Sequence, residues 1–152
     1  MKKILASCIV LIIIACNQTE EPTRKDGFSE VPKSKEDSLY KEVMEGHDIG
    51  MSKIIRVKRA ISKSQHQLDS LNALPKNKLD QNYQQAIKDL QEDLNYADYG
   101  MNTWMTEFKA DTLQDNKELR IRYLESEKEK VTKIKEAILS GLKRADSLLK
   151  SY

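Results

Sequence analysis

The chain has 152 residues, of which 39% are hydrophobic, 33% charged and 6% aromatic, with only 5 Gly and 3 Pro. A length of this order makes one domain, and the wealth of Lys, Glu, Leu and Ile with few turn-forming residues points to long helices and excludes an all-β or α/β fold. With 26 Lys and Arg against 24 Asp and Glu, no strong positive field remains to gather nucleic acid.

The chain opens on Met1-Lys2-Lys3 and an apolar run from Ile4 to Ala15. A basic start and a short apolar stretch have the form of a secretory signal and are too short for a membrane span. The run closes on Ile13-Ile14-Ala15-Cys16, a bacterial lipobox pattern in which the cysteine receives the lipid and cleavage falls just before it. Residues 1–15 are therefore expected to be a lipoprotein signal peptide, with Cys16 lipidated. Loss of Lys2 and Lys3 then brings the basic and acidic counts level. Cys8 goes with the signal and Cys16 with the lipid, so the mature chain has no thiol pair to oxidise. Asn17 departs from the aspartate that retains many lipoproteins at the inner membrane, so the expected location is the outer membrane, facing either side. Glu20 and Glu21 resemble a surface-export tag.

Residues 17–33 combine Pro22, Gly27 and Pro32 with polar residues, the composition of a disordered tether. From Ser34, with Asp37 three residues on as a capping partner, an apolar seam runs through Tyr40, Val43, His47, Gly50, Ile54, Val57, Ile61, Ser64, Leu68 and Leu71 in steps of three and four. It predicts one helix ending at Leu74-Pro75, with Asn77 and Asp80 capping the next.

The second seam is Tyr83, Ile87, Leu90, Leu94, Ala97, Met101, Trp104 and Phe108, lapsing among the polar residues from Asp111 to Asn116. A third resumes at Leu124, Val131, Ile134, Ile138, Gly141, Ala145, Leu148 and Tyr152, with Glu125, Glu129, Lys133 and Lys143 on its other faces. Two short connections between three long helices favour an up-down-up antiparallel three-helix bundle over residues 34–152, expected to be a monomer. The breaks at Pro75 and near Asp111 argue against one extended coiled coil that dimerises.

Three stretches carry a family resemblance: Gly46-His47-Asp48, the run from Ala97 to Phe108 (Ala-Asp-Tyr-Gly-Met-Asn-Thr-Trp-Met-Thr-Glu-Phe) and the run from Tyr123 to Val131 (Tyr-Leu-Glu-Ser-Glu-Lys-Glu-Lys-Val). Over most of the span from Tyr40 to Leu149 the chain resembles small helical lipoproteins of Gram-negative bacteria, often labelled "viral A-type inclusion protein", a label that implies no viral role. The resemblance implies the lipid anchor and the helical fold. It supplies no catalytic residue.

Folding back at Pro75 sets residue 47 opposite residue 105 or so. That gathers Met44, His47, Met51, Met101, Trp104, Met105 and Phe108 at one end of the bundle, with Tyr123 and Leu124 joining from the third helix. Thioethers around an imidazole are what Cu(I) favours, and aromatic walls with pliable methionines suit a small apolar ligand. The ordinary reading is a core layer with a neutral His47, because methionine fills irregular bundle ends and one histidine is a thin ligand set. No cofactor is expected. His66 falls off the seam among polar neighbours, and Lys53, Arg56, Lys58 and Arg59 form a solvated strip. Ser62, Ser64, Ser70 and Ser140 lack a histidine and base pattern, and the carboxylates are interleaved with lysine, so an enzyme is not expected. Tyr83, Tyr96, Tyr99, Tyr123 and Tyr152 offer amphipathic surface for a sugar polymer or a partner helix. The expectation is thus a non-enzymatic lipid-anchored envelope protein that engages a protein or polymer, with a Cu(I) or apolar-ligand site at the methionine layer as the alternative.

Overall fold

A computed structural model describes residues 31–149 of the chain; the signal peptide, Cys16 and most of the tether expected at 16–33 lie outside the described residues, as does Tyr152. The described chain is all-helical, with α1 at Lys35–Met51, α2 at Ile54–Asn72, α3 at Gln81–Glu107 and α4 at Lys117–Leu148. Three of the four starts carry a side-chain cap, and α2, which follows Lys53, does without one. Ser34 Oγ accepts from the Asp37 amide at 3.1 Å, Asp80 Oδ1 from that of Tyr83 at 3.0 Å, and Asn116 Oδ1 from that of Leu119 at 3.1 Å. Each of these caps satisfies an amide that the first helical turn leaves without a backbone partner.

The single helix expected from Ser34 to Leu74 is interrupted at Ser52 and Lys53, giving α1 and α2. Two glycines, Gly46 and Gly50, weaken the preceding turns, and Ser52 Oγ donates to the Ile49 carbonyl at 2.7 Å, competing with the backbone ladder. Asn77 is not the cap expected of it. It lies in a 3-10 turn, Lys76–Lys78, and Asp80 alone caps α3.

In α3 the seam residues Ile87, Leu90, Leu94, Ala97, Met101 and Trp104 are all buried. In α1 the buried residues are Leu39, Val43, Gly46 and Gly50, with Tyr40 36% exposed, so the seam runs one residue earlier than expected at two positions. The reason is close approach: a Cβ on Gly46 would stand 3.0 Å from Val131 Cγ1, and one on Gly50 would collide with the Met101 methyl. Glycine lets α1 press onto α4 and α3 where a side chain would hold them apart.

The pairs between helices have a consistent order. From α3 to α4, Tyr83 bonds Leu148 at 3.1 Å and Trp104 bonds Glu127 at 2.9 Å; from α2 to α3, Asn72 meets Gln84 at 2.6 Å and Gln65 meets Gln91 at 3.0 Å. In both sets the numbers fall on one helix as they rise on the other. Between the first two helices and α4 they rise together, from Lys35 with Glu125 to Arg56 with Asp146.

Two expected results follow from the packing. Cutting isoleucine to alanine is expected to cost about 2 to 5 kcal/mol at Ile138, which is fully buried, and less at Ile54, Ile61 and Ile134, which are only partly buried against the core; urea unfolding ranks the four. In the turn between α3 and α4, Leu113 has a φ of 58°. A leucine there clashes with its own backbone, so Leu113→Gly is expected to raise stability by about 1 kcal/mol, read as a higher midpoint in thermal unfolding.

Candidate functional site

The residues singled out by sequence converge where α1, α3 and α4 meet. Helical spacing sets Trp104 and Phe108 one turn apart near the end of α3, and their rings stack with centroids 4.8 Å apart. His47 of α1 comes to 5.6 Å from Trp104, and Tyr40, two turns earlier on the same face of α1, to 6.4 Å from Phe108. Tyr123 of α4 stacks on Phe108 at 6.1 Å and its hydroxyl accepts the Lys109 amide at 2.8 Å. The result is a continuous aromatic layer, His47 to Trp104 to Phe108 to Tyr123, locked to the backbone at its far end.

Trp104 is the centre of the layer and is 4% exposed. Its indole N–H donates to Glu127 Oε2 at 2.9 Å, and the other oxygen of that carboxylate accepts from Lys130 Nζ at 2.8 Å. Glu127 is thereby a buried carboxylate with both oxygens satisfied, the condition under which a charge is tolerated out of water. The hydrogen bond to Glu127 holds the Lys130 ammonium above the ordinary lysine range, against the opposing effect of burial, with attraction to Glu127 and Glu107 adding to it. A raised value means that the stabilisation is complete below the unfolded lysine pKa and is lost as pH rises through the folded one. Trp104 emission is therefore expected to change in an alkaline step above the ordinary lysine range, and Lys130→Met to abolish that step.

The methionines do not share one environment. Met101 is fully buried with its methyl against Gly50, Met44 and Met51 are half-buried, and Met105 is 37% exposed. His47 keeps its ring against Trp104 while Nδ1 lies 2.9 Å from Asp48 Oδ1. Among the described residues, no group of three or more His, Cys, Asp or Glu is arranged to hold a metal ion. Of the residues named for a Cu(I) set, Met44, His47 and Met51 follow one another on one face of α1 at steps of three and four and are half-buried.

The candidate serines outside this layer bond within their own helices. Ser64, Ser70 and Ser140 donate to carbonyls of Ile61, His66 and Ala137 one turn back, at 2.8, 2.9 and 3.2 Å. Tyr83 bonds the end of α4, whereas Tyr96 and Tyr99 stand 69% and 70% exposed on α3. Lys133 of α4 pairs with Glu129 at 2.6 Å. A groove of about 730 Å³ between α1 and α4 has Leu39 and Thr132 among charged walls that include Glu42, Lys128, Lys133 and Glu136.

Sequence reading missed two members of the site, Glu127 and Arg120. Arg120 is 5% exposed; its Nε donates to Glu36 at 3.2 Å and a terminal nitrogen donates to the Thr112 carbonyl at 2.9 Å. The available signal was spacing. The seam of the last helix steps by seven from Leu124 to Val131, and that interval hides one inward position, filled by Glu127; Arg120 lies four residues before Leu124. Comparison of the chain with protein-family models, with curated proteins and with solved structures finds no match.

Proposed function

We propose that the chain is a non-enzymatic, lipid-anchored protein of the outer membrane whose helical unit is an interaction module for an envelope protein or polymer. In this reading Cys16 carries the lipid, residues 17–33 are the tether, and the remainder is an up-down-up three-helix bundle with α1 and α2 forming its first arm. The opposed numbering of the α2–α3 and α3–α4 pairs supports that topology, and the signal-like start with Ile13-Ile14-Ala15-Cys16 supports the anchor.

The observation that carries the interaction reading is a contrast between two aromatic groups. Trp104 is closed off, its one donor spent on Glu127, while Tyr96 and Tyr99 of α3 are about 70% exposed. Exposed tyrosines one helical turn apart offer apolar faces and hydroxyls together, the combination that interfaces favour. Crosslinking in intact cells followed by recovery of the lipidated protein tests the reading. A reproducible protein or polymer adduct, lost in the Tyr96→Ser, Tyr99→Ser variant while helix content is unchanged, is the expected result. A sharp one-to-one Cu(I) end point in anaerobic titration, removed by His47→Gln, would overturn it in favour of a metal-binding layer.

A further inference from the structure

The chain enters its helical unit at the same end at which α3 turns into α4. Lys35 Nζ donates to Glu125 at 2.6 Å, and Arg120 holds Glu36 of α1 at 3.2 Å and the Thr112 carbonyl of the turn at 2.9 Å. Beside Thr112, Leu113 has a φ of 58° and is 41% exposed, and Leu119 in the first turn of α4 is 44% exposed. A left-handed leucine in water carries two costs, since glycine or asparagine would relieve the backbone and a polar side chain the surface. The turn around it is firmly held. The Lys109 amide donates to the Tyr123 hydroxyl at 2.8 Å and the Asn116 amide to the Leu113 carbonyl at 3.1 Å, so the leucine is displayed from a fixed backbone.

We propose that this end of the helical unit rests on the lipid surface that holds the chain, with Leu113 and Leu119 entering the interfacial region. The proposal rests on the lipid-anchor reading above. Residues 17–33 join Cys16 to the Ser34 cap, and even fully extended they reach no farther than about 60 Å. The opposite end, at the turn between α2 and α3, lies farther off by the length of α4, 32 residues or about 48 Å. The attachment therefore brings the end that carries Leu113 and Leu119 to the bilayer first, and the opposite end, with its exposed Leu74, only near the limit of that reach. Lys109 and Lys117 are offset by Asp111, Asp115 and Glu118, so the contact is apolar and indifferent to headgroup charge. Two leucines hold a free protein to a membrane only weakly; a tether makes the contact intramolecular and raises its occupancy.

The test uses the full lipidated protein in phosphatidylcholine vesicles carrying a shallow spin-labelled lipid. Leu113→Cys or Leu119→Cys takes a bimane fluorophore, and Lys76→Cys in the distant turn serves as the reference. Quenching at 113 and 119 is expected to exceed that at 76 by about twofold or more, and to persist when half the lipid is phosphatidylglycerol. Equal quenching at the three positions, with the protein still floating with the vesicles through Cys16, overturns this proposal and leaves the anchor standing. Failure to float, or equal flotation of the Cys16→Ser protein, overturns the anchor reading and the proposal with it.

Discussion

Trp104→Ala is expected to destabilise the helical unit by about 3 to 5 kcal/mol, because the substitution empties the centre of the aromatic layer and leaves the site unable to collapse. The ring is 4% exposed, contacts His47 at 5.6 Å and Phe108 at 4.8 Å and bonds Glu127 at 2.9 Å, so α1, α3 and α4 each lose a contact at once. Trp104→Phe separates two contributions. It keeps a ring in the layer but withdraws the donor from Glu127, whose carboxylate then depends on Lys130 alone. An intermediate loss of about 1 to 3 kcal/mol is expected for that variant in urea unfolding. If the two substitutions cost the same, the hydrogen bond and not the packing would be the source of the effect.

The helices were legible where packing and local preference agree. In α3 each step from Ile87 to Trp104 falls on an apolar residue, large at every position but Ala97, so periodicity alone locates the buried face, and Asp80 and Asn116 mark the starts by their side-chain chemistry. The break at Ser52 was not legible in the seam, since the interval from Gly50 to Ile54 is an ordinary step of four. It reflects local backbone competition, which hydrophobic spacing does not record. Gly46 and Ala60 are buried without announcing it: where two helices approach most closely, the residue that permits the contact has almost no side chain to read.

The site shows the same division. That His47 meets Trp104 follows from counting back across Pro75, because antiparallel neighbours pair by distance from their turn. The burial of Glu127 does not follow from any local rule, since a glutamate flanked by Ser126 and Lys128 reads as solvent-facing until the indole N–H of another helix is known to need an acceptor. The methionines remain chemically ambiguous in sequence for a related reason: a thioether that fills a gap and one that awaits a soft metal are the same side chain, and only its burial, complete for Met101 and partial for Met44 and Met51, separates the cases.

The Arg120 contact predicts an asymmetry between its two partners. The Arg120 side chain is 6% exposed and that of Glu36 34%, so removing the carboxylate strands a buried charge, whereas removing the guanidinium leaves a carboxylate within reach of water. Glu36→Ala is accordingly expected to cost about 3 to 5 kcal/mol, and Arg120→Met, which retains the apolar stem, about 1 to 3 kcal/mol. The double variant should recover most of the loss of Glu36→Ala, since the charge that lacked a partner is gone. Arg120 also holds the Thr112 carbonyl, so both variants that remove it should speed amide exchange in residues 109–116 while Glu36→Ala, which leaves that bond in place, should not. Strictly additive losses in the double variant would mean that Glu36 and Arg120 act separately and that the turn owes its order to the Tyr123 hydroxyl on the Lys109 amide instead.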